Sequence, residues 1–161
     1  MKFRCPRLLL KSGCLLAILT TIIPSPVLAD PPHFGKLILS PGFQAEKETI
    51  SGYTGGSYSL SSISNRDRNQ NACIGFADPT PDAVLVLQKD FSHFRIQVNS
   101  GGSDTTILVK GPDDVIRCGD DTGKSKDASV DDSPWKAGTY RVWVGTFNSG
   151  QRYNYTLSVQ E

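Results

Sequence analysis

Methionine occurs once in these 161 residues, histidine twice and cysteine four times. With only His33 and His93 available, a histidine-rich metal centre is excluded, and no His-Glu-x-x-His run is present. No Gly-x-Ser-x-Gly elbow and no phosphate loop occurs either. A serine or cysteine nucleophile needs a partnered base, and the sequence nominates none. No Cys-x-x-Cys pair supports dithiol chemistry. Beyond the first 29 residues no segment has a helical period, and no repeat is long enough for a solenoid or propeller.

Those first 29 residues read as a secretory signal peptide. Lys2, Arg4, Arg7 and Lys11 form the basic region, Leu15 to Ile23 the apolar run, and Val27-Leu28-Ala29 supplies small residues before a cut. The apolar run is too short for a transmembrane helix, so no membrane span is expected in the mature chain. Removing the leader leaves 132 residues with 13 Lys and Arg against 16 Asp and Glu. That is one domain of ordinary size with a mildly acidic, mixed surface. Nucleic-acid binding, which needs a concentrated basic face, is excluded. An exported chain with two remaining cysteines, Cys73 and Cys118, is expected to join them in a disulfide. The expected location is secreted or periplasmic.

What the chain does have is alternation. In Tyr153 to Val159, Tyr153, Tyr155, Leu157 and Val159 fall on one face, while Asn154, Thr156 and Ser158 fall on the other. A period of two buries one face of a strand and wets the other. Phe94, Ile96 and Val98 repeat the pattern; Thr105 to Lys110 and Val115 to Cys118 read as strands around the turn Gly111-Pro112-Asp113-Asp114. Val84 to Leu87 is an apolar run that reads as buried on both faces. Thr139 to Thr146 and Tyr153 to Val159 read as a terminal hairpin across a polar loop. Residues 30–45, with Pro31, Pro32, Pro41 and Gly42 and the patch Leu37-Ile38-Leu39, read as an extended arm, demoted by proline to edge strand or coil. Residues 46–161 then form an all-β domain of about eight strands, a jelly-roll-like antiparallel β-sandwich.

Several pieces, taken in order, resemble a known family. They are Gly52 with Gly55-Gly56, Asp82-Ala-Val-Leu-Val-Leu, Phe94 to Val98, Asp104-Thr-Thr-Ile-Leu-Val with Asp120-Asp121, Ala137-Gly-Thr-Tyr-Arg-Val-Trp-Val, and Tyr155-Thr-Leu-Ser-Val. Over roughly Ile50 to Val159 the chain resembles the bacterial pre-peptidase C-terminal domain. Val84 and Val86 stand where that family commonly has aromatic residues. The resemblance implies a jelly-roll-like sandwich on an exported protein, in a family where some members bind collagen or other polymers and some bind calcium. A stand-alone, non-catalytic module that recognises an extracellular polymer or a protein partner is the expectation. The alternative is a structural or secretion-assisting envelope component without a polymer ligand.

Two candidate sites follow from the residues. On Thr139 to Thr146, Arg141 and Trp143 share the face opposite Tyr140, Val142 and Val144, so Trp143 could stack on a ligand beside Arg141; the competing reading has the Leu37–Leu39 patch cover it. The aspartates between Asp113 and Asp132 supply the other candidate, a calcium site at Asp120 and Asp121. Calcium takes six to eight oxygens from flexible loops. The spacing is not that of an EF-hand, and Lys124 and Lys126 oppose a cation. An enzymatic reading would need His93 joined to an acid and a hydroxyl in a hidden pocket.

Overall fold

The computed structural model describes residues 31–161; the expected signal peptide lies outside them. Eleven strands form two stacked sheets. The larger contains β1 (Gly35–Leu39), β3 (Tyr58–Ser59), β4 (Phe76–Ala77), β5 (Ala83–Leu87), β7 (Thr105–Lys110), β8 (Ile116–Gly119) and β10 (Gly138–Thr146). The smaller runs in the order β2 (Thr49–Tyr53), β11 (Asn154–Gln160), β6 (Phe94–Asn99), β9 (Ser129–Asp132), antiparallel throughout. Phe94, Ile96, Val98, Leu157 and Val159 from the smaller sheet meet Leu85, Val109, Tyr140, Val142 and Val144 from the larger, all buried, as their alternation dictates. The fold is the expected all-β sandwich, with more strands than the eight read from the sequence.

Two local expectations change and one narrows to a single alternative. The terminal hairpin is not one: β10 lies in the larger sheet and β11 in the smaller. Both edges of β10 are already taken, by β5 and β4 on one side and by β7 on the other, so β11 must cross to the second sheet. Of the two forms read for the proline-flanked arm, the edge strand is the one adopted: β1 pairs parallel to β5 from Gly35↔Ala83 to Leu39↔Leu87 and so joins the larger sheet. Finally, β5 is not buried on both faces. Ala83, Leu85 and Leu87 are buried, but Val84 and Val86 on the outer face are only half covered.

A buried carboxylate joins the sheets where the pairing of β10 is interrupted. Asp82 precedes β5, and its backbone N–H donates to Val142 O at 2.8 Å. One step further along β10, the N–H of Val144 faces the same edge beyond the end of β5 and donates to Asp82 Oδ2 at 2.8 Å. The side chain thus replaces the missing strand carbonyl, as a buried backbone donor requires. Its other oxygen accepts from the Tyr155 hydroxyl of β11 at 3.1 Å. Space for Tyr155 comes from Gly52 on β2, where a Cβ would lie 2.7 Å from the Tyr155 hydroxyl and 2.7 Å from the Phe34 ring.

Candidate functional site

Cys73 and Cys118 are bridged, with Cα atoms 5.3 Å apart, as expected. The bridge decides the fate of Trp143. Register places Trp143 of β10 beside Leu108 of β7, and Leu108 beside Cys118 of β8, in one row on the outer face of the larger sheet. The disulfide draws Cys73 onto that row, and Leu60 and Ala77 complete a second apolar cluster. Trp143 is therefore only 6% exposed, and its Nε1 donates to Pro79 O at 3.1 Å. The outward-stacking reading is corrected: Trp143 is covered, and by the Leu60–Cys73 segment rather than by Leu37–Leu39, which pairs with β5. Arg141 remains exposed, with Val84 and Lys110 as its cross-strand neighbours.

The aspartates that the sequence bunches together serve separate ends. Asp114 pairs with Lys110 at 2.8 Å. Asp127 ties the β6–β7 loop, accepting from the N–H groups of Ser100 and Gly102 and from the hydroxyls of Ser100 and Ser125. Asp132 takes Arg117 and Arg68. Asp131 meets His93, Oδ1 to Nε2 at 2.6 Å, on the surface with side chains 51% and 48% exposed. That is not the hidden pocket an enzymatic constellation needs.

Asp120 and Asp121 do gain a partner. Because β7 and β8 are antiparallel, the start of one lies beside the end of the other, and Asp104 joins the pair. One carboxylate oxygen from each of Asp104, Asp120 and Asp121 falls within 4.8 Å of the others. Oδ1 of Asp120 is buried without a hydrogen-bond partner. Burial first, then the charges of Asp121 and Asp104, pushes the Asp120 carboxyl up. The Lys126 ammonium sits on Asp104 Oδ2 at 2.7 Å and partly offsets this charge. The donor set, all hard oxygen on loops, suits calcium.

The outer face of the smaller sheet is assembled by strand register. Toward β9 that face carries the charged row Gln160–Arg95–Asp131. Toward β2 its cross-strand rows are Tyr53–Asn154, Ser51–Thr156–Asn99 and Thr49–Ser158–Gln97. Every member of these three rows is uncharged and polar or phenolic, and each is exposed or half-exposed. Each hydroxyl or amide side chain both donates and accepts. A shallow depression of about 530 Å³ lies over Ser51, Tyr53, Asn99, Asn154 and Thr156. At its end Tyr53, 41% exposed, is braced edge-on by Phe34 at 4.8 Å and carries the Arg152 guanidinium 3.5 Å above its ring. The signal was present as Asn154, Thr156 and Ser158 alternating outward; their neighbours on β2 and β6 needed the register.

No helix among the described residues is long and apolar enough to cross a membrane. No family model and no curated protein matches the sequence. Among solved structures, the chain is similar to the pre-peptidase C-terminal domain of a collagenase from Bacillus anthracis, at 16% identity and TM-score 0.45, over 83% of this chain and 100% of that one. It is also similar to PliG of Aeromonas hydrophila, a periplasmic lysozyme inhibitor of g-type lysozyme, at 16% identity and TM-score 0.37, over 78% of this chain and 97% of that one. The first bears the family name that the sequence motifs resemble; likenesses this distant transfer no role to the chain.

Proposed function

We propose that this chain is an exported, non-catalytic module that binds a neutral extracellular polysaccharide on the outer face of β2, β11 and β6. The carrying observation is the set of uncharged hydroxyl and amide rows from Thr49 to Asn154. A neutral polyhydroxylated chain can exchange hydrogen bonds with such rows without stripping water from any ion, the costly step at a charged surface. The open, shallow shape suits a chain lying across the strands rather than a small molecule enclosed in a pocket. Export rests on the leader reading and on the disulfide, which persists in oxidising compartments.

Calcium belongs to the same proposal as a stabilising ion. Asp104, Asp120 and Asp121 would hold it, with carbonyls or water completing the shell, and it would neutralise the crowded carboxylates at that end of β7 and β8.

Retention on insoluble neutral glycans (cellulose, chitin and an α-glucan) tests the polysaccharide reading. Wild-type protein and Arg141→Ala are expected to be retained on at least one of them, and Thr156→Lys, which places a charge in the central row, to be lost. No retention on any glycan, or retention indifferent to Thr156→Lys, overturns the reading.

A further inference from the structure

We propose a second binding site, independent of the sheet face: the cleft between the β7–β8 turn and the segment leading into β10 takes a small organic carboxylate with an apolar body of single-residue size. The cleft measures about 250 Å³, with Pro112, Val115, Pro134 and Tyr140 as apolar walls and Arg68, Arg117 and Lys136 as cations. Sites for whole small molecules run at about 300–1,000 Å³. This one fits a single ring or aliphatic side chain together with its acid group.

Arg117 is its floor. The residue is 3% exposed, and its guanidinium stacks over Trp135 at 4.0 Å. Nε donates to Asp132 Oδ2 at 2.6 Å and Nη2 to Pro134 O at 2.9 Å. Arg68 Nη1 donates to that same Oδ2 at 3.1 Å. Two guanidinium groups therefore share one carboxylate oxygen beside apolar walls. Lys136 is paired with Asp90 at 3.1 Å, and Asp113, exposed at the rim, is the acid that lines the cleft. A planar carboxylate is what a guanidinium fork recognises, and it does so more strongly where water is partly excluded.

The walls are held in place. The Tyr140 hydroxyl donates to Lys136 O at 2.7 Å. Gly138 has φ of 147°, and a Cβ there would strike the Pro112 ring, so glycine lets the turn close down on the segment before β10.

Such a carboxylate could come from a free organic acid or from the C-terminal residue of a peptide, which share the acid and the apolar body. Amide chemical shifts of the labelled protein would be followed during titration with N-acetylphenylalanine, with its primary amide, and with the peptide Gly-Gly-Phe. N-acetylphenylalanine is expected to shift Val115, Arg117 and Lys136, and the amide to bind at least about tenfold more weakly, as loss of a charge-assisted bond implies. Arg68→Gln is expected to weaken the acid by about tenfold; Lys136→Gln, at an exposed position, repeats the test should the first variant disturb its loop. Peptide binding equal to that of the acid assigns a chain terminus, and weaker peptide binding assigns a free acid. Equal binding of acid and amide, shifts confined to other residues, or no shifts up to about millimolar ligand overturns the proposal.

Discussion

Replacing Asp82 by asparagine tests whether the carboxyl between the sheets is neutral in the folded protein. Burial is the main cause that pushes its pKa from the ordinary 3.8 up to about 7, against the opposing bonds from Val144 and Tyr155. The native state thus keeps a proton that the unfolded chain sheds near pH 4. Stability from this group is fully present below about pH 4, declines as pH rises, and levels off once the pH passes about 7. A rise from 3.8 to about 7 corresponds to at most about 4 kcal/mol across that window. The side chain introduced by Asp82→Asn is permanently uncharged, with its oxygen able to accept from Val144 and its amide group placed beside the Tyr155 hydroxyl.

The assay is urea unfolding of both proteins, disulfide intact, at intervals from pH 4 to pH 8. Other titrating groups cancel in the difference between the two. At pH 4 the wild type should be equal or more stable by about 1 kcal/mol, the net worth of one hydrogen bond. By pH 8 the difference should have moved toward the Asp82→Asn variant by about 2–4 kcal/mol, which makes the variant the more stable protein. A difference that stays constant across the range refutes the reasoning, because Asp82 would then be ionised in the fold or ionised at no cost.

Two other perturbations have defined outcomes. Removing the bridge with Cys73→Ala and Cys118→Ala, which reopens a loop spanning 45 residues, should cost about 4 kcal/mol in the chain-entropy model and shift Trp143 fluorescence to the red as its cover loosens. Calcium should raise the melting temperature of the wild type, by the equivalent of about 2.7 kcal/mol at a hundredfold excess over Kd, with reversal by a chelator and no effect on Asp120→Asn; equal response of the variant would remove the ion from this cluster.

Alternation revealed the faces of the strands but not their partners. Phe94, Ile96 and Val98, and Tyr155, Leu157 and Val159, point inward where a period of two places them. The same period says nothing about which sheet a strand joins. Adjacent strands with a polar loop between them read as a hairpin, yet residues 147–153 are long enough to span sheets stacked about 10 Å apart. Occupied edges on β10 decided the matter, and occupancy is a property of the assembled sheet. Pro31, Pro32 and Pro41 leave edge strand or coil open for the arm; the five residues of β1 between them contain no proline, and the edge strand forms.

The cover over Trp143 is more instructive. Alternation sets its face opposite to that of Tyr140 and Val142, and leaves open whether solvent or another segment lies on it. Leu108 lies beside Trp143 in the next strand, and Cys118 beside Leu108, so the outer row is apolar and carries one end of a cross-link. A row of that kind demands a cover, and Cys73 brings it. The acidic cluster follows the same logic along the strand axis. Once Thr105–Lys110 and Ile116–Gly119 pair antiparallel, Asp104 must share an end with Asp120 and Asp121, while Asp113 and Asp114 are carried to the opposite end. Nearness in sequence therefore pointed the wrong way for Asp113 and Asp114, a few residues from Asp120, and strand direction pointed the right way for Asp104, sixteen residues from it.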